Sequence, residues 1–495
     1  MQDAVILGDA PLLPASVEAI ASGAPVSIAP AGLDRMARSR AHLLAAQSAD
    51  RPIYGVTTGL GPRVVERLSP EEQQAMSIKT IRGRAHSVGE PLPRSVVRAA
   101  MALRAHTLLS GGSGADPSLA ETLAAWLNAG LSPVVPSTGS VGAADLMWGG
   151  NLGLGLIGEG DVDTGTGRGP AGPALEAAGI RPYRPGSREG LAMVSHSSFA
   201  AALAALGVAR CRRWFAWVQS AAALSMEGFR ANITPFLTEV LALRPQPGQA
   251  AAAAGILECL EGSALMDPAS ARRLQDPLSF RNAAQVHGAL LAAMEWSEAA
   301  ATDEVNGASD NPVVIPDTGA VMSSGGFLTP MLTVSLGALN QALVHVAAMQ
   351  TARIARLLTP RFTDLPVGLA AADTGSAGIA PATKTAEALC AEITLLAAPA
   401  LVYPGGGADG VEDVISHSAL PAKALREILD RMFCLSALEL IVAVQAVELR
   451  AAPQTPPRLV DAIRQVRAVV PRVTEDRALG ADIERLAARM DEAPR

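Results

Sequence analysis

Paired cysteines, aromatic side chains and unbroken apolar runs are all scarce in this chain, and each scarcity excludes something. The four cysteines, Cys211, Cys259, Cys390 and Cys434, are spread through 495 residues with no CxxC pair. Neither a disulfide framework nor a cysteine-built zinc site is expected, which fits a reducing cytoplasm. The opening residues MQDAVILGDAPLLP lack a basic segment followed by an apolar one, so no export signal is expected. Alanine-rich segments are long, but arginines interrupt them: Arg210, Arg212 and Arg213 in one, Arg353 and Arg356 in another. A membrane span is therefore not expected. A net charge of −7 gives no reason to expect nucleic acid or an anionic membrane as partner. The seven histidines form no metal-binding pattern, and there is no P-loop, no GxSxG elbow and no dinucleotide-binding glycine pattern after a strand. What remains is acid–base or electrophile chemistry without a separate cofactor or metal.

The residues that are abundant speak for helices. Phe199–Met226, Asn282–Ala301, Met331–Leu358, Thr385–Ala400 and Ser418–Arg450 are long Ala/Leu/Val segments with helical spacing. They predict a mainly α fold, a large bundle buried further by self-association. Before them, Gly32–Gln47 and the 70–130 region also read as helical, with Pro70 near a helix start. The Gly-, Pro- and Thr-rich stretch 161–187 is a boundary or a surface excursion. It divides the chain into an N-terminal region, 1–187, and a helical region, 188–495.

Four stretches carry candidate chemistry. Pro136–Gly160 runs a glycine-rich turn into a weakly patterned helix, with Asp145 and Trp148 inside it; the backbone there approaches something closely. Tyr54 lies in the loop YGVTTGLG, and its phenol becomes a usable base only where cations such as Arg63, Arg82, Arg84 or Arg281 stabilise the phenolate. QDPLSFR puts Gln275 and Arg281 on a turn before a long helix, where the guanidinium can grip a carboxylate bidentately. ADGVEDVISHS carries Glu412, a carboxylate that either complements a helix dipole or holds an ammonium. Lys384 is the one lysine in a long apolar region; buried, it shuttles protons, and exposed, it only adds charge.

Together these stretches resemble the aromatic amino-acid lyase family, which includes the histidine, phenylalanine and tyrosine ammonia-lyases. The matching landmarks include YGVTTGLG, HSVGEPL, NAGLSPVVPSTGSVGA, QDPLSFR, SDNP and GVEDVISHS, in the family's order across nearly the whole chain. The resemblance implies a long-helix homotetramer in which several subunits build each site. It also implies a catalytic Tyr54, a carboxylate-binding Arg281 and a retained Glu412.

The departures from the family pattern fall at the chemistry. Family members make a methylidene-imidazolone from consecutive Ala-Ser-Gly; here the sequence reads Ala143-Ala144-Asp145. The family asparagine that supports the ring falls at Ser195, followed by His196, and the substrate-selecting pair falls near Gly83-Arg84. The expectation is a lyase that lacks the prosthetic group, similar in this to ergothionase. It would eliminate ammonia or an amine from a histidine-like or other aromatic amino acid. Tyr54, Glu412 and Lys384 would be catalytic, and Arg281, Arg84, Ser195, His196, Gln275, Phe327 and Asp145 would contact substrate. An isomerase or cyclase on the same scaffold, or a non-catalytic paralogue, is the alternative.

Overall fold

The computed structural model describes residues 3–49, 51–370, 375–399, 405–450 and 455–492. The expected helices are present: Ser198–Phe229, Ala283–Asn306, Pro330–Leu357, Ala382–Leu396 and Ala419–Arg450. Their ends fall within a few residues of the expected ones, because Ala- and Leu-rich runs favour helix strongly enough to continue through isolated residues such as Gly207, Gly288, Gly337 and Pro421. Ala400, where one segment was expected to end, and Tyr403 lie outside the described residues. Among the described residues, three helical stretches are long and apolar enough, by length and composition alone, to cross a membrane. In two of them, Glu189–Phe229 and Ala419–Arg450, the most apolar window is 94% and 83% buried by the protein itself.

The chain divides into two compact units, but not at residue 187. One unit comprises Met1–Ala209, Ser297–Val334 and Ala400–Lys423; the other comprises Arg210–Trp296, Ser335–Pro399 and Ala424–Arg495. The Gly/Pro-rich stretch that suggested a boundary is an excursion inside the first unit. Its strands Asp161–Asp163 and Arg168–Pro170 pair with each other, and the first also pairs with Ser132–Pro133.

Within the first unit, local chemistry sets the helix ends. Pro70–Arg82 begins with a capping box: the Ser69 hydroxyl accepts from the Glu72 amide, and the Glu72 carboxylate accepts from the Ser69 amide. The helix Arg94–Leu108 is buried almost throughout, including Arg98 and Arg104. Arg98 is tolerated because it donates to the Ile20 carbonyl at 3.2 Å and the Leu127 carbonyl at 3.0 Å. Both are end-of-helix carbonyls that lack partners within their own helices.

The helix Leu146–Leu156 (LMWGGNLGLGL) is where the sequence and the packing explain each other. A methyl at Gly149 would sit 2.7 Å from both the Met193 carbonyl oxygen and the Val194 Cα. One at Gly150 would sit 2.6 Å from the Arg84 carbonyl oxygen and 2.7 Å from the Ala85 nitrogen. The glycines let two backbone segments lie directly against this helix, and those segments carry Arg84 on one side and Ser195–His196 on the other. Gly150→Ala is expected to destabilise the fold by about 2 kcal/mol through overpacking against backbone that has no room to shift. Chemical denaturation measures this, and an unchanged midpoint would refute the close approach.

Candidate active site

Two loops of the first unit, the one that carries Tyr54 and the turn 405–413, lie side by side at Gly61 and Ala408. The Tyr54 hydroxyl oxygen accepts a 3.1 Å hydrogen bond from the Gly61 amide, which leaves the half-buried phenol one further acceptor position and its own proton. The loop is folded tightly on itself: the Ile53 carbonyl accepts from the amides of Val56 and Thr57, and the Thr57 hydroxyl donates back to the Arg51 carbonyl at 2.7 Å. Gly55 has φ +63°, and a methyl there would strike Leu60 and Leu191. Gly61 abuts the 405–413 turn, with 3.6 Å from its ideal Cβ position to the Ala408 Cβ. In that turn Glu412 bridges back to Gly407, its amide donating to the Gly407 carbonyl at 3.1 Å. Tyr54 and Glu412 are thus carried by loops in direct contact. Two of the four cations expected to bathe the phenol are used elsewhere: Arg63 pairs with Glu66, and Arg82 pairs with Glu159, on exposed surface.

The turn 139–145 is held from three directions. Ala144 sits at φ +57°, a left-handed conformation that costs an alanine roughly 1 kcal/mol, and its amide donates to the Phe327 carbonyl at 2.9 Å. The Ser416 hydroxyl donates to the Gly142 carbonyl at 2.7 Å, and the His417 amide donates to the Val141 carbonyl at 2.9 Å. Asp145 supplies the third hold. It is 1% exposed, and both carboxylate oxygens are engaged. One accepts from the Ser140 hydroxyl at 2.7 Å; the other accepts from the amides of Phe199 and Ala200 at 3.0 and 2.9 Å. These amides open the long helix Ser198–Phe229, so the carboxylate caps it and also complements its dipole. Burial raises the Asp145 carboxyl to about 6, and the three hydrogen bonds oppose that rise.

Asp145, expected to contact substrate, is therefore a structural bridge with no oxygen to spare. His196 is corrected in the same way. It is fully buried and stacked on Phe199, with Nε2 2.9 Å from the Met193 carbonyl and Nδ1 accepting from the Ser198 amide at 3.3 Å. Burial first, and then the Arg104 charge, lowers it to about 3, so it is a neutral imidazole fixed by backbone and not a group that polarises a ligand. Ser195 is 9% exposed and ends the short helix Glu189–Val194. Phe327 is half-buried and serves the turn through its carbonyl, which also accepts from Ser197 at 3.1 Å. Arg84 is half-buried, and its guanidinium has no partner among the described residues.

Sequence spacing could not reveal Ser416, which lies 274 positions from the carbonyl it holds. It equally hid Glu304, a half-buried carboxyl raised to about 7 by burial, with Asp145 and Asp303 adding to the rise. The remaining expected residues belong to the second unit. Arg281 ends the one-turn helix Leu278–Arg281, half-buried and without a hydrogen bond or ion pair among the described residues; Gln275, just before that helix, is exposed. Lys384 is 80% exposed and pairs with Glu387 one turn along its helix at 3.0 Å. The burial that a proton shuttle requires is absent from the single chain. Among the described residues no group of three or more His, Cys, Asp or Glu is placed to hold a metal ion.

If Asp145 is a cap and not a ligand contact, Asp145→Ala lowers stability by about 2 kcal/mol, while Asp145→Asn, which keeps an acceptor for the helix amides, costs less than about 1. Because the folded-state value is raised, the wild type binds more protons folded than unfolded between about pH 4 and 6, and this group's contribution to stability falls as pH rises through that window. The asparagine variant loses that part of the slope. Denaturation at several pH values checks both statements, and a parallel slope in the variant would refute the second.

Comparison with known proteins gives this geometry its context. Residues 12–470 match the family model for aromatic amino acid lyases. A histidine ammonia-lyase from Anaeromyxobacter sp. (strain K) is 36% identical over 488 residues, covering 96% of both chains. One from Gloeobacter violaceus is 36% identical over 473 residues, covering 94% of this chain and 92% of that one. Among solved structures, ergothionase from Treponema denticola, an ergothioneine-degrading enzyme, superposes with a TM-score of 0.92 at 28% identity, covering 99% and 98% of the two chains. Histidine ammonia-lyase from Trypanosoma cruzi gives 0.91 at 28% identity, covering 99% and 93%. These likenesses correct the expectation that no prosthetic group belongs to this chain, because the family it matches carries the methylidene-imidazolone made from Ala-Ser-Gly. The residues at that position, Ala143, Ala144 and Asp145, do not supply the serine and glycine, and the Asp145 amide is engaged by the His196 carbonyl at 2.8 Å. They do not fit the group as the family forms it. Sequence and fold agree: the chain belongs to the aromatic amino acid lyase family, and is a carbon–nitrogen lyase.

Proposed function

We propose that this protein catalyses 1,2-elimination of ammonia or an amine from a histidine-like aromatic amino acid, releasing the corresponding acrylate. The observation that carries the reading is the contact between the Tyr54 and Glu412 loops, in a chain whose relatives are histidine ammonia-lyases. The Tyr54 oxygen, as phenolate, takes a proton from the substrate's β-carbon. The electron pair left behind forms the double bond as the Cα–N bond breaks, and the amine departs with the bonding pair. The Gly61 amide already donates to that oxygen and fixes its position. Glu412, half-buried in the abutting turn, holds the departing ammonium as a carboxylate. Arg281 binds the substrate carboxylate with a guanidinium that makes no hydrogen bond or ion pair among the described residues. Arg84 and Phe327, both half-buried, line the ring's side of the site.

The substrate is a small molecule, the working form is a homotetramer, and the reaction runs in the cytoplasm. The likeness to ergothionase supports a histidine-derived substrate and leaves room for a quaternary amine as leaving group. Such a group keeps its positive charge at any pH, whereas an amino group leaves as ammonia only when it is protonated.

Ultraviolet absorbance of the purified enzyme with histidine, phenylalanine, tyrosine, trimethylhistidine and ergothioneine tests the reaction. A growing acrylate band with an imidazole substrate is expected, and silence across the panel would refute the elimination. With the responding substrate, Tyr54→Phe should lower kcat by at least about 100-fold while changing KM by less than about threefold. Turnover near the wild-type rate would remove Tyr54 from the role of base.

A further inference from the structure

The one-turn helix Leu278–Arg281 is anchored within its unit far more firmly than a surface turn requires. Phe280, one residue before Arg281, stacks on Phe229 with ring centroids 4.0 Å apart and planes 19° from parallel. Asp276 accepts from the Asn232 amide at 2.6 Å. The Ser279 carbonyl accepts from Arg353 Nη1 at 3.2 Å. Arg353 is fully buried, as is its partner Glu439, and the two are joined by a fork of 2.5 and 3.0 Å. Glu439 is held in turn by the Ser225 hydroxyl at 2.8 Å and by Gln350 Nε2 at 2.9 Å. Gln350 also donates to the Ser436 hydroxyl at 2.8 Å, and Trp214 Nε1 donates to the same oxygen at 2.9 Å.

A buried ion pair of this kind adds little stability over a well-packed apolar core, since desolvating both charges offsets most of their attraction. What it supplies is direction. Arg353 spends two donors on Glu439 in a planar fork, and that plane aims a third at the Ser279 carbonyl. The same four-residue turn carries Arg281, whose own guanidinium makes no hydrogen bond or ion pair among the described residues and interacts with Asp276 only through its charge. We propose that the buried Arg353–Glu439 pair positions Arg281, fixing the turn so that its guanidinium is presented in one orientation to the substrate carboxylate. The inference rests on the reading of Arg281 as the carboxylate ligand. It adds Arg353 and Glu439 as positioning residues and makes substrate affinity depend on a pair that never touches substrate.

Lysine at 353 keeps the charge but has a single ammonium, which cannot hold Glu439 bidentately and reach Ser279 as well. The test uses the full-length enzyme with whichever amino acid turns over in the absorbance panel, together with inhibition by its acrylate product. Arg353→Lys is expected to raise KM and the product inhibition constant about tenfold while kcat stays within about threefold. In an Arg281→Met background it should add less than about twofold, because the group it positions is gone. Equal effects in the two backgrounds, or a loss of kcat and thermal stability with KM unchanged, would overturn the positioning role and leave a merely structural one. If Arg281→Met alone leaves KM unchanged, the carboxylate reading fails, and the positioning proposal built on it falls too, by a result the first two outcomes do not produce. Should Arg353→Lys not fold, Gln350→Met removes one bond from Glu439 without touching Arg353. It carries the same comparison with an expected KM rise of about two- to threefold.

Discussion

The Asp145 carboxylate is the interaction on which the first unit's site depends. It joins three things that the chain supplies separately: the Ser140 end of a strained turn, the first amides of a 32-residue helix, and the start of the glycine-rich helix Leu146–Leu156. Removing a carboxylate from water is costly, and here hydrogen bonds from one hydroxyl and two helix-terminal amides meet the cost. The raised value of about 6 records that the compensation is incomplete. The group is a compromise between burial and order, and the turn around Ala144 is ordered because of it.

Hydroxyl chains extend the same logic. Thr329 reaches the Ser418 hydroxyl at 2.7 Å, Thr333 reaches the Ser416 carbonyl at 2.7 Å, and Ser416 reaches Gly142. Ser197 joins the Phe327 carbonyl, and its amide is bonded to the Ser309 hydroxyl at 3.2 Å. Asp310, next to Ser309, lies fully buried between Arg104 and Arg188. The Arg104 charge holds its carboxyl low against the pull of burial. The backbone that frames the site is thus fixed by polar groups that never face a ligand. His196 belongs with them, and its low value is what burial beside Arg104 dictates for an imidazole with both nitrogens engaged.

Both units place a reactive candidate on a mount. In the first, Tyr54 is oriented by the Gly61 amide in a loop that hydrogen-bonds to itself. In the second, Arg281 stands at the end of a turn held by an aromatic stack and a buried ion pair. In each case the side chain proposed to meet substrate keeps unused hydrogen-bonding capacity, on backbone that its neighbours hold in place. This division suits catalysis, which gains from groups already oriented before substrate arrives.

The sequence by itself determined the helices and the family. Long Ala/Leu runs favour one conformation locally, and the landmark stretches stand in family order whatever the fold does with them. Glycines at 149 and 150 also announced a close approach before its partner was known. Only the tertiary structure decided which polar residues are ligand contacts and which are struts. Asp145, Ser195 and His196 stand beside the family's chemistry in sequence, yet burial and saturated hydrogen bonds make Asp145 and His196 structural. Lys384 lies in an apolar stretch, yet its side chain points to solvent. The chain also failed to divide where its Gly/Pro content changed, because that segment folds back into a small sheet. The reason is common to all of these. A residue's chemistry depends on its solvent exposure and on partners up to 274 positions away, and neither quantity exists until the chain has folded.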